Sequence, residues 1–159
     1  MLRHILIPLD GSQLAEKSLE YARRISNNST AITLLMAVDP QEHIAYGMYQ
    51  PGVSQASATN PVIDYKSITD DLLEQGHRYL NRVADDLRKS GYKVDVILEL
   101  GAPADIIIET AGHAEIDTIV MSTHGRSGLT RWLLGSITQK IISAAPCPVY
   151  VIPPARNGK

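Results

Sequence analysis

Short apolar runs alternate with helix-type apolar repeats along this chain of 159 residues. The first run, Ile5-Leu6-Ile7, is continuously apolar, which is typical of a strand buried on both faces. Apolar residues then recur at helical spacing over residues 14–25. Ser12 stands just before them, where a serine caps the start of a helix.

The same alternation continues to the end of the chain. Further strands are predicted over residues 31–38, 94–98, 118–121 and 149–152, and further helices over residues 68–87, 103–111 and 137–145. Gly91 follows the second helix, and Pro103 suits the first turn of the third. Five strands joined by helices, without a hairpin signal, predict an α/β fold. Its parallel sheet is covered by helices on both faces.

Residues 39–67 interrupt this alternation with a stretch rich in proline, glycine and small polar residues. A connection of this length is usually a functional loop, a lid or disorder. Its apolar side chains are able to cover a ligand or to contact a partner. We favour a mobile or partner-ordered loop over a nucleotide lid. The residues concerned are Ile44, Tyr46, Met48 and Tyr49.

Composition excludes several classes of partner. The net charge is −2 with a pI near 6.2, and no cluster of Lys and Arg stands out, so we expect neither nucleic acid nor an anionic membrane as a partner.

The N-terminal apolar run is broken by Pro8 and is too short for a signal sequence, and no run reaches transmembrane length. We therefore expect a cytoplasmic protein. The single cysteine, Cys147, cannot form an internal disulfide.

The most informative stretch joins the fourth predicted strand to the last helix. The strand leads into Ser122-Thr123-His124-Gly125, and nine residues later Gly135-Ser136 opens the helix. A glycine lets backbone amides approach an anion, and the free N–H groups of a helix start favour negative charge. Gly135 leaves room for that approach, and Ser136 offers an N-cap hydroxyl. The pattern predicts a phosphate site that is not a Walker A loop, because the motif's lysine is absent.

This arrangement resembles the universal stress protein family, whose ATP-binding members carry G-x-x-G, nine residues, and then G-S or G-T. Ser122 stands here in place of the first glycine. The opening residues 5–12, the strand at residues 34–38 and the closing residues 146–152 are also similar to the family. The resemblance covers nearly the whole chain. It predicts one universal stress protein domain over residues 1–155, with 39–67 as a long variable loop and 156–159 as a tail.

The resemblance implies a Rossmann-like fold of the adenine nucleotide alpha hydrolase type, with strand order 3-2-1-4-5. That order places the loops after the first and fourth strands on one crevice. It also implies ATP as the ligand, with Mg²⁺ held through the phosphates. The adenine and ribose would be bound by Pro8, Leu9, Asp10, Val38, Met121, Ser122 and Gly125. The phosphates would be bound by His124, Gly125, Arg126, Gly135, Ser136 and Ile137.

Several of these residues have a second interpretation. Asp10 also suits a residue that closes the turn or caps the first helix. His124 also suits a partly exposed loop histidine, and Arg126 and Arg131 suit ordinary surface charges. The remaining histidines show no metal-ligand spacing, so no metal site is predicted apart from the Mg²⁺ that accompanies the phosphates.

Three functions are consistent with the sequence. The first is an ATP-binding regulatory module that acts in a stress response as a homodimer through the edge strand Val149–Ile152. The second is a dimer of the same type that binds no nucleotide and acts through its surface. The third is a slow ATP hydrolase. We assign no catalytic residue and expect at most very slow ATP hydrolysis, because no nucleophile elbow, H-E-x-x-H motif or carboxylate pair is present near the glycine loop.

Overall fold

The computed structural model describes residues 2–41, 64–113, 115–123 and 134–153. Within these residues strands and helices alternate, as the apolar pattern predicts. The elements are β1 (His4–Pro8), α1 (Gln13–Ile25), β2 (Ala31–Val38), α2 (Tyr65–Lys89), β3 (Lys93–Leu100), α3 (Pro103–His113), β4 (Thr118–Ser122), α4 (Ser136–Ala144) and β5 (Val149–Ile152).

The strands form one parallel, Rossmann-like sheet in the order β3-β2-β1-β4-β5. This confirms the strand order that the family resemblance implies. β1 lies in the middle, where Ile5 pairs with Ile32 of β2 on one side and with Thr118 of β4 on the other. The strand order reverses between β1 and β4, so their carboxyl ends lie side by side at the same edge of the sheet.

Two apolar clusters cover the two faces of the sheet. The face that includes Ile5 and Ile7 packs against α1 and α2, and the face that includes Leu6 and Ile119 packs against α3 and α4. Ile5, Leu6 and Ile7 have no exposed surface at all. Their burial from both sides explains why the sequence of β1 shows no polar alternation.

Helix α2 lies unusually close to the sheet at Gly76. A Cβ atom at this position would lie 3.0 Å from Cδ1 of Leu98 and 3.2 Å from Sδ of Met36. A glycine inside the helix therefore allows close contact with β2 and β3, which outweighs its low helix propensity. In the described parts of the chain no helix, α2 included, is both long and apolar enough to cross a membrane.

The start of α2 and the end of β3 differ from the prediction for a physical reason. α2 begins at Tyr65, so residues 65–67 belong to a helix and not to the predicted 39–67 loop. Asp64 caps it by accepting hydrogen bonds from the N–H groups of Lys66 (3.1 Å) and Ser67 (3.2 Å). The first turn is exposed and therefore has no apolar signal.

β3 runs to Leu100, whereas the apolar pattern predicts its end at residue 98. The pattern stops early because β3 is an edge strand whose last two residues are exposed. Residues 42–63 of the predicted loop lie outside the described residues.

Asp117 joins the N-terminus of the chain to the residues that precede β4. Its Oδ2 atom accepts hydrogen bonds from the N–H groups of Arg3 and of His4, the latter at 3.0 Å. These two backbone bonds are the main reason that the pKa of Asp117 lies below its ordinary value of 3.8. The ionised carboxylate therefore stabilises the pairing of β1 with β4.

We predict that Asp117→Asn lowers the free energy of unfolding at neutral pH. Because the folded-state pKa is depressed, the contribution of the carboxylate is fully present above the ordinary pKa of 3.8 and is lost as the pH falls through the lower folded-state value. The difference between wild type and variant should therefore shrink in acid, as measured by urea denaturation over a pH series. Asp95→Asn, on the exposed part of β3, is the control. A difference that does not change with pH would contradict the assignment.

Candidate functional site

The candidate site lies at the carboxyl ends of β1, β2 and β4. β1 pairs with β2 as far as Pro8 and Leu35, so the last residues of β2 project beyond the end of β1. β4 ends beside β1 and continues into Thr123. The strand order and these ends bring six predicted site residues to one edge of the sheet, at the topological switch point. They are Pro8, Leu9, Asp10, Val38, Met121 and Ser122.

The loop after β1 is fixed by its own hydrogen bonds. The Leu9 N–H group donates to the Leu35 carbonyl at 2.8 Å. Oδ1 of Asp10 accepts from the Ser12 N–H group at 2.9 Å, and Oγ of Ser12 accepts from the Ala15 N–H group at 3.1 Å. Gly11 has a φ of 83°, which a side chain would strain. Asp10 therefore closes the turn and Ser12 caps α1, as predicted, while contact of Asp10 with a ligand remains a prediction.

Val38 is the last residue of β2, and its carbonyl oxygen is already engaged. It accepts a hydrogen bond of 2.9 Å from the N–H group of Gly101, which follows β3 with a φ of 141°. A carbonyl oxygen has two acceptor positions, so one remains for a ligand. The predicted contact of Val38 with the edge of a base remains a prediction.

The end of β4 is buried and anchored to the neighbouring strand. Met121 belongs to the apolar cluster beneath α3 and α4, so its side chain serves the core. Ser122 is 7% exposed and pairs with Ile152 of β5. The next residue, Thr123, donates its N–H group to the Ile152 carbonyl at 3.0 Å. The strand that carries the candidate site is thus held firmly on its β5 side.

The start of α4 differs from the prediction in one respect. Gly135, not Ser136, occupies the N-cap position, and a glycine has no side chain with which to cap the helix. Ser136 is instead the first helical residue and is exposed, so its predicted N-cap role is wrong. A Cβ atom on Gly135 would lie 3.3 Å from the Thr123 carbonyl oxygen, and its φ of −60° is ordinary. This glycine therefore favours close approach of the helix to the strand end and does not serve an unusual backbone conformation.

Hydrogen bonds at the start of α4 determine which amides can meet an anion. The Gly135 N–H group donates to the Thr123 carbonyl at 3.2 Å, and the Gln139 N–H group to the Gly135 carbonyl at 2.9 Å. The amides of Ser136, Ile137 and Thr138 lie between them, where helix geometry provides no intrahelical acceptor. The first turn also contains no acidic residue. This is an arrangement that favours a bound anion.

Sequence reasoning missed Thr138. Its side chain is 2% exposed, and its Oγ1 atom donates to the Thr123 carbonyl at 2.9 Å. The signal available in the sequence was its position three residues after Gly135, which points it to the same side of α4 as the buried Ile141. Thr138 and Gly135 therefore hold the same strand-end carbonyl.

Tyr79 of α2 adds an electrostatic feature near the β1 loop. Burial of its ring and the neighbouring carboxylates of Glu16 and Asp10 raise the pKa of Tyr79 above its ordinary range. The shift adds to the preference for the neutral phenol that an ordinary tyrosine already has at physiological pH.

The remaining predicted phosphate residues, His124, Gly125 and Arg126, lie outside the described residues, as does Arg131. Among the described residues, no group of three or more His, Cys, Asp or Glu side chains is arranged to hold a metal ion. The described part of the site thus provides backbone amides and strand ends rather than metal ligands.

Comparison with known proteins gives the family. The model of the universal stress protein family matches residues 1–153, and the chain belongs to this family. Universal stress protein MJ0531 from Methanocaldococcus jannaschii is 33% identical to it over 152 residues, which is 96% of this chain and 82% of the relative.

Solved structures show the same fold. The structure of MJ0577, also from M. jannaschii, superposes with a TM-score of 0.80 at 25% identity and covers 99% of both chains. A family protein from Arabidopsis thaliana, crystallised with AMP bound, superposes with a TM-score of 0.59 at 15% identity. That match covers 94% of this chain and 90% of the plant chain. At that identity the likeness to the plant protein shows the fold alone.

Proposed function

We propose that this universal stress protein binds ATP at the β1–β4 switch point and acts as a nucleotide-dependent regulatory homodimer in a stress response. The observation that carries the proposal is the start of α4, where three consecutive amides lie beside the carboxyl end of β4 without an intrahelical acceptor. The Arabidopsis protein with AMP bound belongs to the same family, and this shared family, rather than the superposition, supports an adenine nucleotide as the ligand class.

The amides of Ser136 and Ile137 would bind the phosphates, with His124, Gly125, Arg126 and Gly135 assigned to the same region by the family motif. Gly135 would contribute through its missing side chain, since its N–H group already donates to Thr123. Mg²⁺ would be held by the phosphate oxygens and would neutralise their charge. The adenine and ribose would lie along the strand ends, against Pro8, Leu9, Asp10, Val38, Met121 and Ser122.

Ser122 is compatible with this proposal although the family motif has glycine there. The residue is buried at the end of β4, where a ribose would pass. Serine is the next smallest polar residue, and its hydroxyl group can hydrogen-bond a ribose oxygen. That bond would partly offset the lost space.

The proposed dimer uses β5, because the two edges of the sheet differ. β3 exposes Lys93, Asp95 and Glu99, which discourage pairing with another chain, whereas β5 has no charged residue. The Pro148 carbonyl accepts from Ile119 of β4, and the Ile152 carbonyl accepts from Thr123, the residue after β4, each at 3.0 Å. Because backbone direction alternates along a strand, the backbone groups of residues 149 and 151 face outward. A second copy of β5 could pair with them about a two-fold axis.

We predict that the wild type binds Mg-ATP in calorimetry and that Gly135→Val weakens binding by at least ~1.4 kcal/mol, about tenfold. The valine would press on the Thr123 carbonyl and move the phosphate-binding turn. Gly112→Val is the matched control, because a Cβ atom at Gly112 has no neighbour within 4 Å. Ser122→Gly should be neutral or improve affinity. No heat and no competition at millimolar ATP in folded wild type would instead support the surface-acting dimer without nucleotide.

We predict that light scattering gives twice the monomer mass of 17.4 kDa. Val151→Pro should reduce the mass to that of the monomer, because proline removes an outward N–H group while leaving the bonds to β4 in place. Lys93→Ala, on the opposite edge of the sheet, should leave the dimer intact. A wild-type monomer at micromolar concentration, or a dimeric Val151→Pro variant, would rule out this interface.

We predict that ATP turnover is orders of magnitude below the enzyme median of about 10 per second. The sequence near the glycine loop has no nucleophile elbow, H-E-x-x-H motif or carboxylate pair, so we assign no group that would activate a water molecule. A steady-state phosphate-release assay tests this. Turnover near the median that is abolished by His124→Ala would show that the protein is an ATP hydrolase.

A further inference from the structure

The carbonyl of Thr123 joins the end of β4 to the first turn of α4 by two hydrogen bonds. The Gly135 N–H group donates to it at 3.2 Å, and Oγ1 of Thr138 donates to it at 2.9 Å. Together they use both acceptor positions of the oxygen atom. One strand-end carbonyl is thus held from two points that are three residues apart on α4.

These two points enclose the amides that the proposed function assigns to the phosphates. Ser136 and Ile137 lie between Gly135 and Thr138. A single bond from Gly135 would fix the distance of the helix from β4 but would still allow the first turn to rotate about it. The second bond, from Thr138, restrains that rotation. The Thr138 side chain is 2% exposed, so this hydrogen bond forms away from water, where it is stronger.

We propose that Thr138 is a positioning residue for nucleotide binding: its hydroxyl group holds the first turn of α4 so that the Ser136 and Ile137 amides converge on the phosphates. The inference rests on the proposed function and assigns Thr138 a role in addition to the family motif. Thr138 acts through the Thr123 carbonyl, so its own hydroxyl group is not a phosphate ligand. Its contribution to affinity lies in preorganising the amides.

The chain contains a matched control for this role. At the other end of β4, Oγ1 of Thr118 donates to the Pro148 carbonyl at 2.8 Å, and Thr118 is 1% exposed. The chemistry, burial and bond length are nearly those of the Thr138 bond. Thr118 lies at the amino end of the strand, away from the candidate site. Loss of either hydroxyl group should therefore affect stability similarly, but only the loss at Thr138 should affect the phosphates.

The test compares Thr138→Val, Thr138→Ser and Thr118→Val by Mg-ATP calorimetry, at a temperature where all are folded. Valine has the shape of threonine without its hydroxyl group, so Thr138→Val should weaken affinity about fivefold to tenfold, as expected for one buried hydrogen bond. Thr138→Ser keeps the hydroxyl group and should bind like wild type. Thr118→Val should also bind like wild type, although its melting temperature falls. If Thr138→Val does not fold, Thr138→Ala is measured with the same expectation.

Amide hydrogen exchange in the ligand-free protein provides a second readout. The Gly135 amide should exchange faster in Thr138→Val than in wild type and should be unchanged in Thr118→Val. The positioning role would be overturned if Thr138→Val bound Mg-ATP as tightly as wild type, or if Thr118→Val lost as much affinity as Thr138→Val. Either result would leave the proposed function standing. Absence of ATP binding in folded wild type would overturn both.

Discussion

Burial of β1 from both faces is the constraint on which the rest of the structure depends. Ile5, Leu6 and Ile7 have no exposed surface, because helices cover both sides of the parallel sheet. Parallel strands require each connection to return to the same end of the sheet, so every strand-to-helix loop lies at the carboxyl edge. With β1 in the middle and the order reversing next to it, the loops after β1 and β4 lie side by side. The place of the candidate site is thus a consequence of how the core is built.

The same constraint explains which elements can be predicted from the sequence. The buried strands β1, β2 and β4 are continuous apolar runs, and α1 has both an apolar repeat and a capping serine at Ser12. The start of α2 is not predicted because its first turn faces solvent and is capped by Asp64, a local hydrogen-bonding signal without periodicity. The far end of β3 was missed because the strand lies at an edge, where polar residues are tolerated. The apolar pattern therefore predicts the elements that form the core, but it does not predict the solvent-exposed ends of those elements.

The candidate site is also only partly predictable from the sequence. The spacing of the motif identifies Gly135, because a glycine directly before a predicted helix can be recognised in the sequence. It could not show that the Gly135 amide is already bonded to Thr123 and that the Ser136 hydroxyl is not the cap. These facts, and the bond from Thr138, depend on tertiary contacts between segments 12 to 15 residues apart in sequence. In the proposed site, the amides of Ser136 and Ile137 therefore bind the phosphates, while Gly135 contributes only through its missing side chain.

Thr123 connects the candidate site to the edge of the sheet. Its N–H group donates to the Ile152 carbonyl at the end of β5, while its carbonyl accepts from α4. A change in the position of the first turn of α4 therefore acts on the same residue that holds the end of the edge strand. The outward backbone groups of β5 that lie nearest to Ile152 belong to Val151, one residue before it. Two of these three bonds, from Gly135 to Thr123 and from Thr123 to Ile152, join backbone groups, and the hydroxyl group of Thr138 adds a buried side-chain bond. The start of α4 and the end of β5 are thus joined through Thr123.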